Sequence, residues 1–325
     1  MTVKITIVGL GKIGTSMGLA LARHADQLYR IGHDLYPENA RLAQKMGAVD
    51  KVMYNLPASV EEADIVLLAL PVDQIRATLE SISLDLKEGA VVMDTAPVKQ
   101  MVSRWAQEFL KPGRYYVGLY PAINSHYVIT SPSGAGVARA DLFETAPIGI
   151  VSPRGTDSAA IKLATDLVTL LGAKPMFMDM MEADSLMAAV HLLPQLLSTS
   201  LANITINQPG WLEGRKLAGA LFAQASNALA EGDTPEALHQ AIQFSQEHVV
   251  RLLDKLIEQL MLAREATQGT GEDLIEKMKT ARESREEWLG QRMKSDWQES
   301  IPKTETPSVK SVMRRWFWGQ KGDSN

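Results

Sequence analysis

Val3-Lys4-Ile5-Thr6-Ile7-Val8-Gly9-Leu10-Gly11-Lys12-Ile13-Gly14 is an apolar, β-branched run that ends in Gly-x-Gly-x-x-Gly. It flows into Thr15-Ser16-Met17-Gly18-Leu19-Ala20-Leu21-Ala22, a helical pattern. Strand, tight turn and helix in that order form a dinucleotide phosphate site. Gly9 permits the turn, Gly11 lets the backbone approach a pyrophosphate, and Gly14 lets the helix pack against the strand. The helix then aims its first N–H groups and positive dipole end at the phosphates. Lys12 and Ile13 lie inside the turn and join the three glycines as cofactor-binding candidates. A second run, Tyr29-Arg30-Ile31-Gly32-His33, closes at Asp34, 20 residues beyond Gly14. An acid at that spacing accepts hydrogen bonds from the adenine ribose hydroxyls. A carboxylate there repels a 2′-phosphate, and no arginine follows before Arg41. The expected cofactor is therefore NAD, with NADP disfavoured.

Outward from this stretch, strand and helix patterns alternate. Pro37 to Met46 reads as a helix, and Ile65-Val66-Leu67-Leu68-Ala69-Leu70 as a continuous apolar strand ended by Pro71. Such runs suit a central parallel strand buried on both faces. A helix from about Asp73 to Ile82 follows, then strands at Ala90–Asp94, Tyr115–Leu119 and Ile148–Val151. Thr156 to Leu171 is an amphipathic helix, and Lys174 to Met178 an edge strand, where proline is tolerated. Alternation of this kind predicts an α/β fold, a Rossmann-type doubly wound parallel sheet.

From Met181 the strand patterns stop. Asp184–Ile206, Trp211–Ala230, Pro235–Ala266 and Gly271–Gln298 read as helices, giving an all-helical second domain. Expected boundaries are 1–180 for the dinucleotide-binding domain, 181–298 for a helical substrate and dimerisation domain, and 299–325 for a polar linker and tail. The tail carries Arg314-Arg315-Trp316-Phe317-Trp318, a cluster able to contact a partner or a membrane surface, or to dock on its own dimer. Val249, Leu252, Leu253, Leu256, Ile257 and Leu260 form a stripe that reads as core more readily than as a dimer seam. A homodimer is nevertheless expected from so long an apolar face.

Composition narrows the function. With 325 residues there is room for two domains. The net charge of −5 recommends no nucleic-acid partner. The absence of cysteine excludes disulfides, thiolate metal sites and a cysteine nucleophile, and accords with a cytoplasmic location. No charged region with an apolar segment precedes the first strand, so no cleaved leader is expected. The most apolar stretch, Leu186 to Ile206, contains His191, Pro194, Gln195 and Asn203 and reads as a buried helix, not a membrane span. His24, His33, His239 and His248 have no ligand spacing, so no metal is expected.

Ligands of an open parallel sheet bind beyond the carboxyl ends of its strands. Those ends carry the glycine turn, Asp34, Leu70-Pro71, the segment Asp94 to Lys99, and Gly118-Leu119-Tyr120-Pro121. Here the chain resembles the prephenate and arogenate dehydrogenase family over about residues 3–264. The resemblance is carried by GLGKIG, ADIVLLALPV, VVMDTAPVK, YVGLYPAIN, LFETAPIGIVSP and ADSLMAAVHLLPQLLSTSLA, in that order. It implies an NAD-dependent oxidative decarboxylation of prephenate or arogenate, of the tyrosine-biosynthesis type. The family's catalytic histidine, in its G-x-H-P segment, corresponds to Tyr120. The serine that orients it corresponds to Pro97. Of the family's S-H-L-P-H, both histidines are replaced, by Leu192 and Gln195, and His191 stands at the serine; Asp184 survives from its H-D pair.

Tyr120 has an ordinary pKa of about 10 and needs a neighbouring cation to act as a base. Lys99 is the candidate cation, so Tyr120 and Lys99 form the expected catalytic pair. His191, Arg215 and Lys216 are the expected substrate-binding residues, the two cations as carboxylate holders. Two alternatives stay open: a β-hydroxyacid or imine-type dehydrogenase on the same scaffold, and a non-catalytic dinucleotide-binding regulator.

Overall fold

The computed structural model describes residues 2–130, 137–269 and 271–294. In chain order these form β1 (Val3–Val8), α1 (Lys12–Leu21), β2 (Leu28–His33), α2 (Pro37–Lys45), β3 (Lys51–Val52), α3 (Leu56–Val60), β4 (Ile65–Leu68) and α4 (Val72–Ile82). There follow β5 (Val91–Asp94), α5 (Lys99–Phe109), β6 (Tyr115–Pro121), α6 (Ser125–Thr130), β7 (Pro147–Val151), α7 (Ser158–Leu170) and β8 (Lys174–Phe177). The remainder is helical: α8 (Met180–Met187), a π-helical segment (Ala188–Leu192), α9 (Leu193–Thr205), α10 (Trp211–Leu217), α11 (Ala220–Ser226), α12 (Ala228–Glu231), α13 (Pro235–Phe244), α14 (Gln246–Gln268) and α15 (Glu272–Lys294). The chain divides into units at 1–281 and 282–325. The tail residues Arg314 to Trp318 lie outside the described residues.

The sheet order is β3-β2-β1-β4-β5-β6-β7-β8. Strands β3 to β6 are parallel, as the alternation predicts. Strand β4 is central, and all four of its residues are buried by helices on both faces. The sheet is not parallel throughout: β7 runs antiparallel to β6, and β8 is parallel to β7. The reason lies in the connection. A parallel return needs a crossover over one face, usually a helix. After β6 the chain instead stays at the same end of the sheet, where Asn124 N–H meets the Leu142 carbonyl and Ala122 N–H the Pro147 carbonyl. Strand β8 closes the edge, which accommodates Pro175.

Helix α5 and the short α3 and α6 carry no reading above. The stretch Trp211–Ala230 is three short helices, broken at Ala218-Gly219 where the backbone is extended. Pro235–Ala266 is interrupted at buried Ser245, which lets Phe244 set its ring edge-on to Trp105 of α5, centroids 5.3 Å apart. Two burial expectations change. The continuous helix Met180–Thr205 is long and apolar enough to cross a membrane by length and composition, yet only 22% of its most apolar window is buried. Asp184, Ala188, Leu192, Gln195 and Ser198 face inward, while Leu186, Val190, Leu197 and Ile204 are exposed. The α14 stripe is core only at its start: Val249 is buried, Leu252 and Leu253 are half-buried, and Ile257 and Leu260 are exposed.

Candidate active site

The glycine turn has the geometry its spacing predicts. Gly9 sits at φ +91°, and a Cβ there would stand 2.4 Å from the Ala69 carbonyl oxygen. A Cβ on Gly14 would stand 2.0 Å from the Gly9 carbonyl oxygen, so no side chain fits. At Gly11 a Cβ would meet no protein atom within 4 Å. Glycine there leaves a cradle in front of α1, whose N-cap has no side-chain hydrogen bond and whose first turn has no acid. A pyrophosphate fits this arrangement: a helix N-terminus with no acid in its first turn faces the space that glycine leaves. Lys12 and Ile13 are half-buried in the first turn of α1. Leu70 and Pro71 are half-buried where β4 gives way to α4, with Leu70 beside Gly9.

Asp34 does more than its spacing announces. One carboxylate oxygen accepts from Leu10 N–H at 2.7 Å, and the other from Tyr36 N–H at 2.8 Å and Asn39 Nδ2 at 3.3 Å. The side chain thus ties the glycine turn to the end of β2, and the oxygen bonded to Leu10 keeps acceptor capacity for a sugar hydroxyl. Arg41 directs its Nε to the Pro37 carbonyl at 3.2 Å.

At the end of β6 the structure assembles a buried polar cluster from three elements. Lys99, the first residue of α5, is fully buried. Its ammonium donates to Asp94 Oδ1 at 2.7 Å and to the Ala96 carbonyl at 2.6 Å. The Tyr116 hydroxyl donates to the other Asp94 oxygen at 2.6 Å. A Cβ on Gly118 would stand 2.6 Å from Lys99 Cδ, so glycine at this point of β6 is what lets the lysine stem pass. A buried ammonium is tolerated only with such partners. Burial pulls the Lys99 pKa down, against the opposing charge and hydrogen bond of Asp94.

Tyr120 turns its hydroxyl to Asp184 and donates to Oδ1. Asp184, on α8, also accepts Lys99 N–H at 2.7 Å and Gln100 N–H at 3.0 Å, the first two amides of α5. One carboxylate from the helical region therefore caps a helix of the sheet region and holds the tyrosine. Burial, then the charge and hydrogen bond of Asp184, raise the Tyr120 pKa far above its ordinary value. Lys99 lies 4.7 Å from the Tyr120 ring centroid, with its ammonium bound to Asp94. A hydrogen bond from the Lys99 backbone opposes the rise in the Tyr120 pKa without offsetting it, and the buried Lys99 side chain does not reach solvent. Pro97 is buried and brings no hydroxyl. Asp184 is the residue whose part the sequence left unread; its signal was survival of the aspartate when the histidine beside it was gone.

The expected substrate-binding residues occupy the helical region. His191, in the π-helical segment and 35% exposed, pairs through Nε2 with Asp233 at 2.7 Å. Gln195 braces the pair, donating to the same Asp233 oxygen at 3.1 Å and accepting Asp233 N–H at 2.7 Å. Burial would raise Asp233, but its hydrogen bonds from His191 and Gln195 outweigh this and hold its pKa below the ordinary value. Arg215 and Lys216 are exposed on α10, where Lys216 pairs with Glu213 at 2.6 Å. Near α1, Arg139 N–H reaches Ser16 Oγ at 3.0 Å and the guanidinium stacks 4.9 Å above Tyr127, a contact with no sequence signal. Among the described residues no group of three or more His, Asp or Glu gathers as a metal site.

Comparisons with known proteins agree with this fold. Residues 17–177, beginning just past the glycine turn, match the family described as prephenate dehydrogenase, nucleotide-binding domain. The chain is 30% identical to a prephenate dehydrogenase of Bacillus subtilis over 203 residues, 62% of this chain and 53% of that one. It is 29% identical to the probable prephenate dehydrogenase NovF of Streptomyces niveus over 268 residues, 82% of this chain and 69% of that one. It spans about half the length of the Bacillus subtilis and Lactococcus lactis relatives it matches. In fold it is similar to the Aquifex aeolicus prephenate dehydrogenase solved with hydroxyphenyl propionate and NAD+. The TM-score is 0.76, with 23% identity over 88% of this chain and 98% of that one. Synechocystis arogenate dehydrogenase has a TM-score of 0.67, with 22% identity over 88% and 99%.

Proposed function

The chain belongs to the prephenate dehydrogenase family through its nucleotide-binding domain, and on that premise we propose that it is an NAD-dependent oxidoreductase. Its substrate in this reading is a small carboxylated alcohol, with prephenate and arogenate the first to test. The observation that carries the reading is the glycine turn with Asp34 clamped at its mouth. Gly11 and the first amides of α1 would hold the pyrophosphate, and the Asp34 oxygen that accepts only from Leu10 the adenine ribose. When bound, the nicotinamide supplies the hydride acceptor. The carboxylated ring ligand of the Aquifex aeolicus structure supports the substrate class.

Calorimetry tests the cofactor directly. NADH should bind more tightly than NADPH, and Asp34→Ala should narrow the gap while weakening both, because Leu10 loses its anchor. Tighter NADPH binding by the unaltered protein refutes the assignment. A second reading, a non-catalytic dinucleotide-binding protein, is favoured by Pro97 and by the buried Tyr120 hydroxyl. Firm NADH binding without NAD+ reduction on prephenate, arogenate or small hydroxy acids decides for it. In either reading we place the protein in the cytoplasm as a homodimer, its exposed α9–α11 leucines and isoleucines supplying the contact.

A further inference from the structure

The geometry points to a proton relay in which Tyr120 accepts the substrate hydroxyl proton while passing its own to Asp184, making the aspartate the terminal acceptor. This rests on the oxidoreductase reading and names the group that it leaves open. Tyr120 is the next-to-last residue of β6, at the carboxyl end of the sheet where ligands of such folds bind. Its hydroxyl is already directed at Asp184 Oδ1, and a hydroxyl oxygen that donates one hydrogen bond retains two lone pairs.

A tyrosine acting alone would have to form phenolate. Burial and the acidic groups facing it, Asp184 from α8 and Asp94 from β5, oppose that and outweigh a hydrogen bond from the Lys99 backbone, while the Lys99 ammonium is bound to Asp94. A relay removes the obstacle, since the phenol is reprotonated on one side as it is deprotonated on the other. The balance closes without further groups. The substrate O–H bond breaks to Tyr120 Oη, and the Tyr120 O–H bond breaks to Asp184. The carbon–oxygen bond becomes a carbonyl, and hydride leaves with its electron pair to an oxidised nicotinamide dinucleotide. As hydride departs, the substrate hydroxyl approaches that of a protonated carbonyl, a strong acid, so a carboxylate is basic enough to receive its proton. Lys99 N–H and Gln100 N–H hold both Asp184 oxygens in place, so that Oδ1 stays directed at the Tyr120 hydroxyl.

The test uses the full chain with NAD+ and prephenate or arogenate. Tyr120→Phe keeps the α5 cap and removes only the relaying hydroxyl. Asp184→Asn keeps one amide acceptor and removes the proton acceptor. Each should lower kcat by about 10²–10⁴-fold, the usual worth of a placed base, with NADH affinity unchanged by fluorescence titration. The solvent isotope effect on kcat should show more than one proton in flight in the unaltered enzyme. Ultraviolet titration of the tyrosines gives a readout without turnover. The component missing in Tyr120→Phe should ionise at lower pH in Asp184→Asn than in the unaltered protein. If Asp184→Asn turns over at the unaltered rate, or leaves that ionisation where it was, the relay is refuted while the oxidoreductase reading stands. If the unaltered protein binds NADH but reduces no NAD+ with either substrate or with small hydroxy acids, both fall together.

Discussion

Asp34, Lys99 and Asp233 show how far a single residue's identity carries. Asp34 was legible because its spacing from a glycine turn belongs to one chemistry, but its grip on Leu10 and Tyr36 was not. Lys99 was legible as a cation near Tyr120, but only packing shows it buried against Asp94. Asp233 yields a prediction with a definite sign. Its folded pKa lies below the ordinary carboxylate value, so its contribution is present above that value and is lost as pH falls through the folded one. Asp233→Asn should lower stability by about 1 kcal/mol at neutral pH, discounted for the half-exposed His191. The gap between the two proteins should close below roughly pH 4. Urea unfolding at a series of pH values measures this, and a gap that widens on acidification contradicts the assignment.

At the scale of elements, β6 and α5 meet through one lysine stem. Gly118 is the space that the stem occupies, so Gly118→Ala should destabilise by about 1–3 kcal/mol through overpacking. The origin of that cost can be isolated. In a Lys99→Ala background the same glycine substitution should cost much less, a non-additivity expected of residues in contact. Equal costs in both backgrounds, read from thermal or urea unfolding, would place the constraint elsewhere. Strand periodicity located β6 correctly; α5 went unread although Met101, Val102, Trp105, Ala106 and Phe109 recur at helical spacing, because it begins without a side-chain cap of its own. Its cap comes from Asp184, 85 residues away, which no local pattern announces.

At the scale of the whole molecule, the helical region carries apolar surface that the other described residues do not cover. Leu217 and Leu221 are 87% and 85% exposed, with Ile204, Leu212, Ile257 and Leu260 also open. Large apolar side chains left this exposed are the kind that an interface covers. A second copy of the chain is the expected occupant. Sedimentation at micromolar concentration should give the dimer mass, and Leu217→Glu with Leu221→Glu should shift it toward monomer by introducing charges that cannot be desolvated cheaply. A monomeric mass for the unaltered full-length chain contradicts this.

The sequence by itself determined the parts whose physics is local. The glycine turn, the buried parallel strands, the acid at the end of β2 and the change to helices near Met181 follow from backbone freedom, side-chain period and spacing, all written in adjacent residues. The tertiary structure decided what depends on partners far apart in the chain. It reversed β7 because the connection after β6 stays at one end of the sheet. It buried Lys99 against Asp94 and gave Tyr120 to Asp184. A side chain's charge, its exposure and the direction of its proton are set by what surrounds it, and for these residues the surroundings come from other elements of the fold.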